Sequence, residues 1–259
     1  MVFRTRCRVS LCLMMGFLAI VSTSLLARNS KEGAPEQRRQ ILPEFAATVQ
    51  GKIRIAFFDA DSTLRVAPSG SVSANTAKDV ALLPLVSEKM AKLASEGYLL
   101  GIVSNQLGVS QGHVSFASAD GALRRTIGML VKRSALMHYY DFAEFNNENR
   151  KPDIAMAERL ASLAEAKLGM PVDWENSFMV GDSAWKKGID VEPDGTPGSD
   201  FTNTDRVFAE NVAKKHPGFK FFHPRDFFGW KAYGVRGFEN FTALQAFVKQ
   251  HPELDPRKK

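Results

Sequence analysis

From Ile53 onward the chain alternates between short apolar runs and helical stripes, and few architectures accept that alternation. Residues 53–58 form an apolar run that reads as a buried strand, and residues 98–103, 177–180 and 219–222 repeat the pattern, with a shorter run at 142–145. Leu85, Val86, Met90, Leu93 and Ala94 make a helical stripe, started near Pro84 and stopped at Gly97. Leu123, Ile127, Leu130 and Val131 mark a second helix, and residues 154–168 a third that ends at Gly169. Val207, Phe208, Asn211 and Val212 predict a fourth, and residues 238–248 a last one. Residues 106–119 and 185–200 are rich in turn formers and read as loops. Strands alternating with helices imply an α/β fold, a parallel, doubly wound Rossmann-like sheet.

The chain of 259 residues is 44% hydrophobic and 24% charged, which suits a globular domain with a substantial core. Arg4, Arg6 and Arg8 precede an uncharged, mostly apolar run over residues 9–27. That is the pattern of a signal peptide, or of a membrane anchor if it stays uncleaved, and it predicts an exported protein with a membrane tether in the second case. Residues 28–50 are polar and irregular and read as a linker into a domain over 51–259. Setting the leader aside leaves 31 Lys+Arg against 28 Asp+Glu, a charge of +3, too mild to argue for nucleic acid by itself. Cys7 and Cys12 both lie in the leader, so the domain has no disulfide, no thiol nucleophile and no cysteine-bound zinc.

Four segments carry chemistry. Asp59-Ala60-Asp61-Ser62-Thr63 places two carboxylates two residues apart where a strand ends, so that one can attack phosphorus and the other handle the proton of the leaving oxygen. Ser104-Asn105-Gln106 follows the strand at 98–103, where a hydroxyl and backbone N–H groups can hold phosphate oxygens. In Arg150-Lys151-Pro152 a lysine before a helix can neutralise phosphate, with Pro152 expected to pre-set the first helical turn. Gly181-Asp182-Ser183 follows the strand at 177–180 and offers a metal-binding carboxylate. Each alone also reads as an ordinary turn, cap or solvated charge; the ordered set does not.

In that order the segments resemble the haloacid dehalogenase-like superfamily over about residues 51–245, whose members are mostly Mg²⁺-dependent phosphatases. The resemblance implies that Asp59 is the nucleophile, forming an aspartyl-phosphate, and Asp61 the general acid/base. Thr63 would brace the motif, Ser104 and Asn105 would bind the phosphoryl group, and Lys151 would bind it and stabilise its charge. Asp59, Asp182 and the backbone carbonyl of Asp61 would hold Mg²⁺. Ser62 stands where many relatives have glycine, which costs little unless that backbone needs a positive φ. The segments between motifs are too short for a large cap domain.

The layout is also similar to the polynucleotide kinase 3′-phosphatase family. There an insertion separates Gly-Asp from a second acidic segment that opens a helix. Here residues 185–200 intervene before the stretch Asp200 to Ala209, so Asp205 matches the second acid, with Asp200 the alternative. This narrower resemblance implies 3′-phosphorylated polynucleotide ends as substrate. Small phosphate esters are the alternative, and a non-catalytic binding protein of the same fold a further one. No G-x-x-x-x-G-K-[ST] occurs, so no kinase half is expected. No protein partner is implied. The acidic run Asp190, Glu192, Asp194 lacks the glutamate that closes a calcium loop, since Phe201 stands there. Arg124-Arg125, Lys132-Arg133 and Lys186-Lys187 read as solvated faces, and Phe221, Phe222, Phe227, Phe228 and Trp230 as packing residues.

Overall fold

The computed structural model describes residues 51–186 and 202–258. The leader, the linker over 28–50, Lys187, the acidic run and Asp200 lie outside the described residues. Among the described residues, no helix is long and apolar enough to cross a membrane.

The strands of the main sheet are β1 (Arg54–Phe58), β4 (Tyr98–Asn105), β5 (Tyr139–Ala143), β6 (Phe178–Val180) and β7 (Lys220–Phe222). Their order is β5-β4-β1-β6-β7, and every neighbouring pair is parallel. β1 is central because it is apolar on both faces: Ile55, Ala56, Phe57 and Phe58 are all fully buried. Alternate side chains feed two separate cores. Ala56 and Phe58 share one core with residues of α1 (Val86–Ser95), α2 (Phe116–Val131) and α5 (Phe241–Gln250). Ile55 and Phe57 meet α3 (Ala155–Leu168) and α4 (Thr204–Lys215). Burying each of these larger β1 side chains contributes about 1.5–3 kcal/mol. The helices on both faces give the doubly wound α/β sheet expected from the alternation.

Three details differ from the sequence reading. The loop expected over 106–119 ends early, since α2 begins at Phe116, where the Ser115 hydroxyl caps it by accepting from Ser118 N at 3.1 Å. β5 begins at Tyr139 rather than at 142, because Asp141 hides an otherwise buried run; its carboxylate accepts from Tyr139 Oη at 3.0 Å and from Arg159 at 2.7 Å. A hairpin of β2 (Arg65–Val66) and β3 (Ala81–Leu82), each two residues long, was too short to show a period.

The C-terminal aromatics pack largely as expected. Trp230 is fully buried, donates from Nε1 to Pro84 O at 2.9 Å and lies edge-on to Phe238, while Phe222 stays partly exposed. The basic pairs are not simply solvated faces. Arg124 bonds Asp120 at 2.7 Å, and Arg133 donates to the carbonyls of Met129 and Pro256.

His138 sets an acid limit on this fold. Its Nδ1 accepts from Leu100 N at 3.0 Å in a buried position, and burial holds its pKa down at about 4 against an ordinary 6.5. The folded state thus binds this proton less readily than the unfolded chain. The stability is whole above about pH 6.5 and is lost as pH falls through about 4, by about 3 kcal/mol in all. His138→Gln can still accept from Leu100 but cannot become charged, so its stability against pH should be flatter over that window. An unaltered acid limb in chemical-denaturation titrations would remove His138 as its source.

Candidate active site

Parallel pairing brings the ends of β1, β4 and β6 to one edge of the sheet, with Phe58 opposite both Ile102 and Val180. Ligands bind at such an edge in open α/β sheets. Asp59 follows β1, Ser104 and Asn105 close β4, Asp182 follows β6 after one glycine, and Lys151 arrives from the loop between β5 and α3. Asp205, in the first turn of α4, completes the group. All six of these residues line one cleft of about 790 Å³, together with Asp61.

Lys151 is the hub. It is 1% exposed, and its Nζ lies 2.6 Å from Asp59 Oδ1, 2.7 Å from Asp205 Oδ1 and 2.8 Å from Val103 O. Burial works against its charge, yet Asp205 and Asp59 together hold its pKa above the usual lysine value. α3 starts only at Ala155, so Pro152 does not form the first helical turn as expected. Asn105 holds the lysine backbone instead. Its Oδ1 accepts from Lys151 N and its Nδ2 donates to Lys151 O, both at 3.0 Å. The second N–H of Nδ2 is not used by these bonds, and Asn105 lines the cleft as well. Ser104 faces the cleft, with its Oγ accepting from Gln106 Nε2 at 3.0 Å.

Thr63 ties the first motif to the last. Its hydroxyl donates to Asp182 Oδ1 and accepts from Asp182 N, each at 3.1 Å. Ser62 adopts φ 57°, the left-handed conformation in which a side chain carries a cost of about 1 kcal/mol. The glycine seen at this position in relatives thus has a backbone reason, and the serine here sits in mild strain.

The carboxylates of Asp59, Asp182 and Asp205 can bring oxygens within 4.8 Å of one another. Burial, then crowding by the neighbouring acids, raises Asp59 to about 7 despite Lys151 and pushes Asp182 well above the usual carboxylate range. Three hard oxygen donors against one lysine are matched to a small divalent cation. Asp205 would offer the third carboxylate, and its Oδ2 also accepts from Ser183 N at 3.1 Å. The Asp61 carboxylate is turned to Arg65, Gln106 and Ala74 N, at 2.9, 2.9 and 3.2 Å.

Sequence reasoning missed Arg65 and Gln106 as partners of the site, and Val72, Arg236 and Glu239 as lining residues. Val72 lies in the hairpin loop, and Arg236 and Glu239 lie beyond the last strand. Gln106 stands in the second motif segment with no role assigned to it there, and no motif marks Arg65, Val72, Arg236 or Glu239.

The family model for polynucleotide kinase 3 phosphatase matches residues 54–228. A curated relative, the uncharacterized 20.8 kDa protein in the FGF-VUBI intergenic region of Autographa californica nuclear polyhedrosis virus, is 28% identical over 176 residues, 68% of this chain and 86% of the relative. Among solved structures, D,D-heptose 1,7-bisphosphate phosphatase from B. bronchiseptica, complexed with magnesium and phosphate, aligns at 16% identity and TM-score 0.45 over 63% of this chain and 99% of that one. The chain spans 65% of a Mesorhizobium loti structure described as a HAD-like phosphatase, at 19% identity and TM-score 0.44 over 51% of this chain. With the family model covering well over half of its length and the motif residues gathered in one cleft, the chain belongs to the polynucleotide kinase 3 phosphatase family and is a haloacid dehalogenase-like phosphatase.

Proposed function

We infer that this protein is a Mg²⁺-dependent phosphomonoesterase that works through an aspartyl-phosphate and acts on 3′-phosphorylated polynucleotide ends. The observation that carries the reading is the Asp59–Lys151–Asp205 chain at the bottom of the cleft, with contacts of 2.6 and 2.7 Å. Lys151 holds one Asp59 oxygen, which leaves the other to attack phosphorus in line. As that bond forms, the bond from phosphorus to the leaving oxygen breaks, and Asp61 gives the leaving oxygen its proton. Asp61 then takes a proton from the water that hydrolyses the aspartyl-phosphate. Ser104 and Lys151 hold the phosphoryl oxygens, Asn105 places Lys151, Thr63 keeps Asp182 in position, and Asp205 orients the lysine. Asp59, Asp182 and Asp205, with the Asp61 backbone carbonyl, would hold Mg²⁺. Bound there, the ion supplies positive charge against the phosphoryl oxygens and favours the ionised form of Asp59.

The polynucleotide end is supported by the matched family and by the absence of a large cap over the cleft among the described residues. The leader read over residues 1–27 would place this activity outside the cytoplasm. The test compares kcat/KM of the purified protein on a 3′-phosphorylated oligonucleotide and on a small sugar phosphate, each with Mg²⁺ and after chelation. The expected result is a preference for the oligonucleotide of at least about tenfold, lost on chelation. Equal or faster turnover of the sugar phosphate would reassign the substrate to small esters. Undiminished turnover after chelation would remove the metal.

A further inference from the structure

We propose that Arg65 and Gln106 are positioning residues that aim the Asp61 carboxylate at the leaving oxygen. The proposal rests on the reading of Asp61 as the general acid. Four hydrogen bonds converge on this one carboxylate from three parts of the chain. Arg65 donates from Nε to Oδ1 at 2.9 Å and from Nη2 to Oδ2 at 3.4 Å. Gln106 Nε2 donates to Oδ2 at 2.9 Å, and Ala74 N, in the β2–β3 loop, donates to Oδ1 at 3.2 Å.

Arg65 itself is anchored on the far side. Its Nη1 donates to Thr126 Oγ1 at 2.9 Å, and that hydroxyl in turn donates to Ala122 O within α2 at 2.9 Å. The guanidinium therefore spans from the site to a helix of the core and cannot swing. Gln106 bridges as well, since the same Nε2 lies 3.0 Å from Ser104 Oγ. The proton donor and the expected phosphate-binding hydroxyl are thereby held at a set separation.

The burial of Arg65 argues for a purpose at the site. The residue is fully buried between Leu64 and Val66, which are themselves core residues. A buried ion pair seldom adds stability over an apolar pair of like volume. The arrangement also repeats a device of the same loop. Asp59 is held by the buried cation Lys151, and Asp61, two residues on, by the buried cation Arg65. One pair would serve the attacking oxygen and the other the leaving oxygen.

Leaving-group chemistry separates positioning from mere structural support. An alkyl leaving oxygen departs with the electron pair of the broken phosphorus–oxygen bond and needs the Asp61 proton to become an alcohol. A p-nitrophenyl group departs as a stable phenolate and does not. Arg65→Lys keeps the charge but lacks the fork that reaches both Asp61 and Thr126. Gln106→Met keeps the volume and removes the donor. Kinetics of the full-length protein with Mg²⁺ on an alkyl phosphate and on p-nitrophenyl phosphate, alongside Asp61→Asn, form the test. We expect both variants to lose about 30-fold or more in kcat/KM on the alkyl ester, since kcat/KM reports formation of the aspartyl-phosphate and not the shared hydrolysis step, with kcat/KM on the aryl ester falling by less than about threefold.

If either variant fails to fold by circular dichroism, the other decides. Equal losses on the two esters, or no loss on either, would overturn the positioning role. Should Asp61→Asn itself show no leaving-group dependence, the general-acid reading fails and the proposal fails with it. A selective loss in Asp61→Asn that neither positioning variant shares would sink the proposal alone.

Discussion

Asp59→Asn should abolish phosphate release while leaving the fold in place. On the proposed reading the amide cannot attack phosphorus, and loss of a nucleophile of this kind lowers kcat by about 10⁴-fold or more. The fold should tolerate the change for a specific reason. Burial first, then Asp205 and Asp61, already raise the Asp59 pKa to about 7, so its charge contributes little to stability near neutrality. Lys151 keeps Asp205 at 2.7 Å and Val103 O at 2.8 Å as partners. The thermal midpoint of Asp59→Asn should therefore stay within a few degrees of the parent, in keeping with a change below about 1 kcal/mol. Residual turnover above about one part in a thousand in a folded Asp59→Asn protein would refute the nucleophile.

Gly181→Ala should damage both stability and turnover through one steric event. A Cβ on Gly181 would lie 2.3 Å from Asp205 Oδ2 and 2.6 Å from Asp205 Cβ, so the clash reaches the root of that side chain and rotation alone cannot relieve it. The first turn of α4 must shift. Overpacking of this sort costs about 1–3 kcal/mol. The shift pulls Asp205 from Lys151, and a displacement near 1 Å at such a constellation lowers kcat about 100-fold. Gly128→Ala is the internal control, since nothing lies within 4 Å of its Cβ and it sits inside α2. That variant should keep full activity and gain up to about 1 kcal/mol. Wild-type kinetics in Gly181→Ala would mean that Asp205 is not held where the proposed chemistry needs it.

Residues that combine a strong local signal with a motif were readable in advance. The apolar run before Asp59 announced a buried strand because both faces of β1 are covered, so polar residues could not be accommodated within Ile55–Phe58. The four motif segments lie where strands end, and parallel strands end together, so their convergence followed from topology. Other features had no local signature. Arg65 carries no local signal, and only the fold brings it onto Asp61. That Asn105 also holds the backbone of Lys151, 46 residues away, has no signal in its motif.

The sequence alone determined the α/β alternation, the central strand and the identity of the four segments, because hydrophobic periodicity and turn chemistry are local properties of a chain. Tertiary structure alone decided how the acids divide their work. Asp205 stands 54 residues beyond Lys151 in sequence yet lies 2.7 Å from its ammonium, while Asp61, beside Asp59 in the motif, pairs its carboxylate with Arg65. Coulomb attraction between buried charges acts through space and depends on their distance apart, not on their separation along the chain. Which acid pairs with which cation therefore depended on how the strand ends and the helix start were brought together, which no spacing along the chain records.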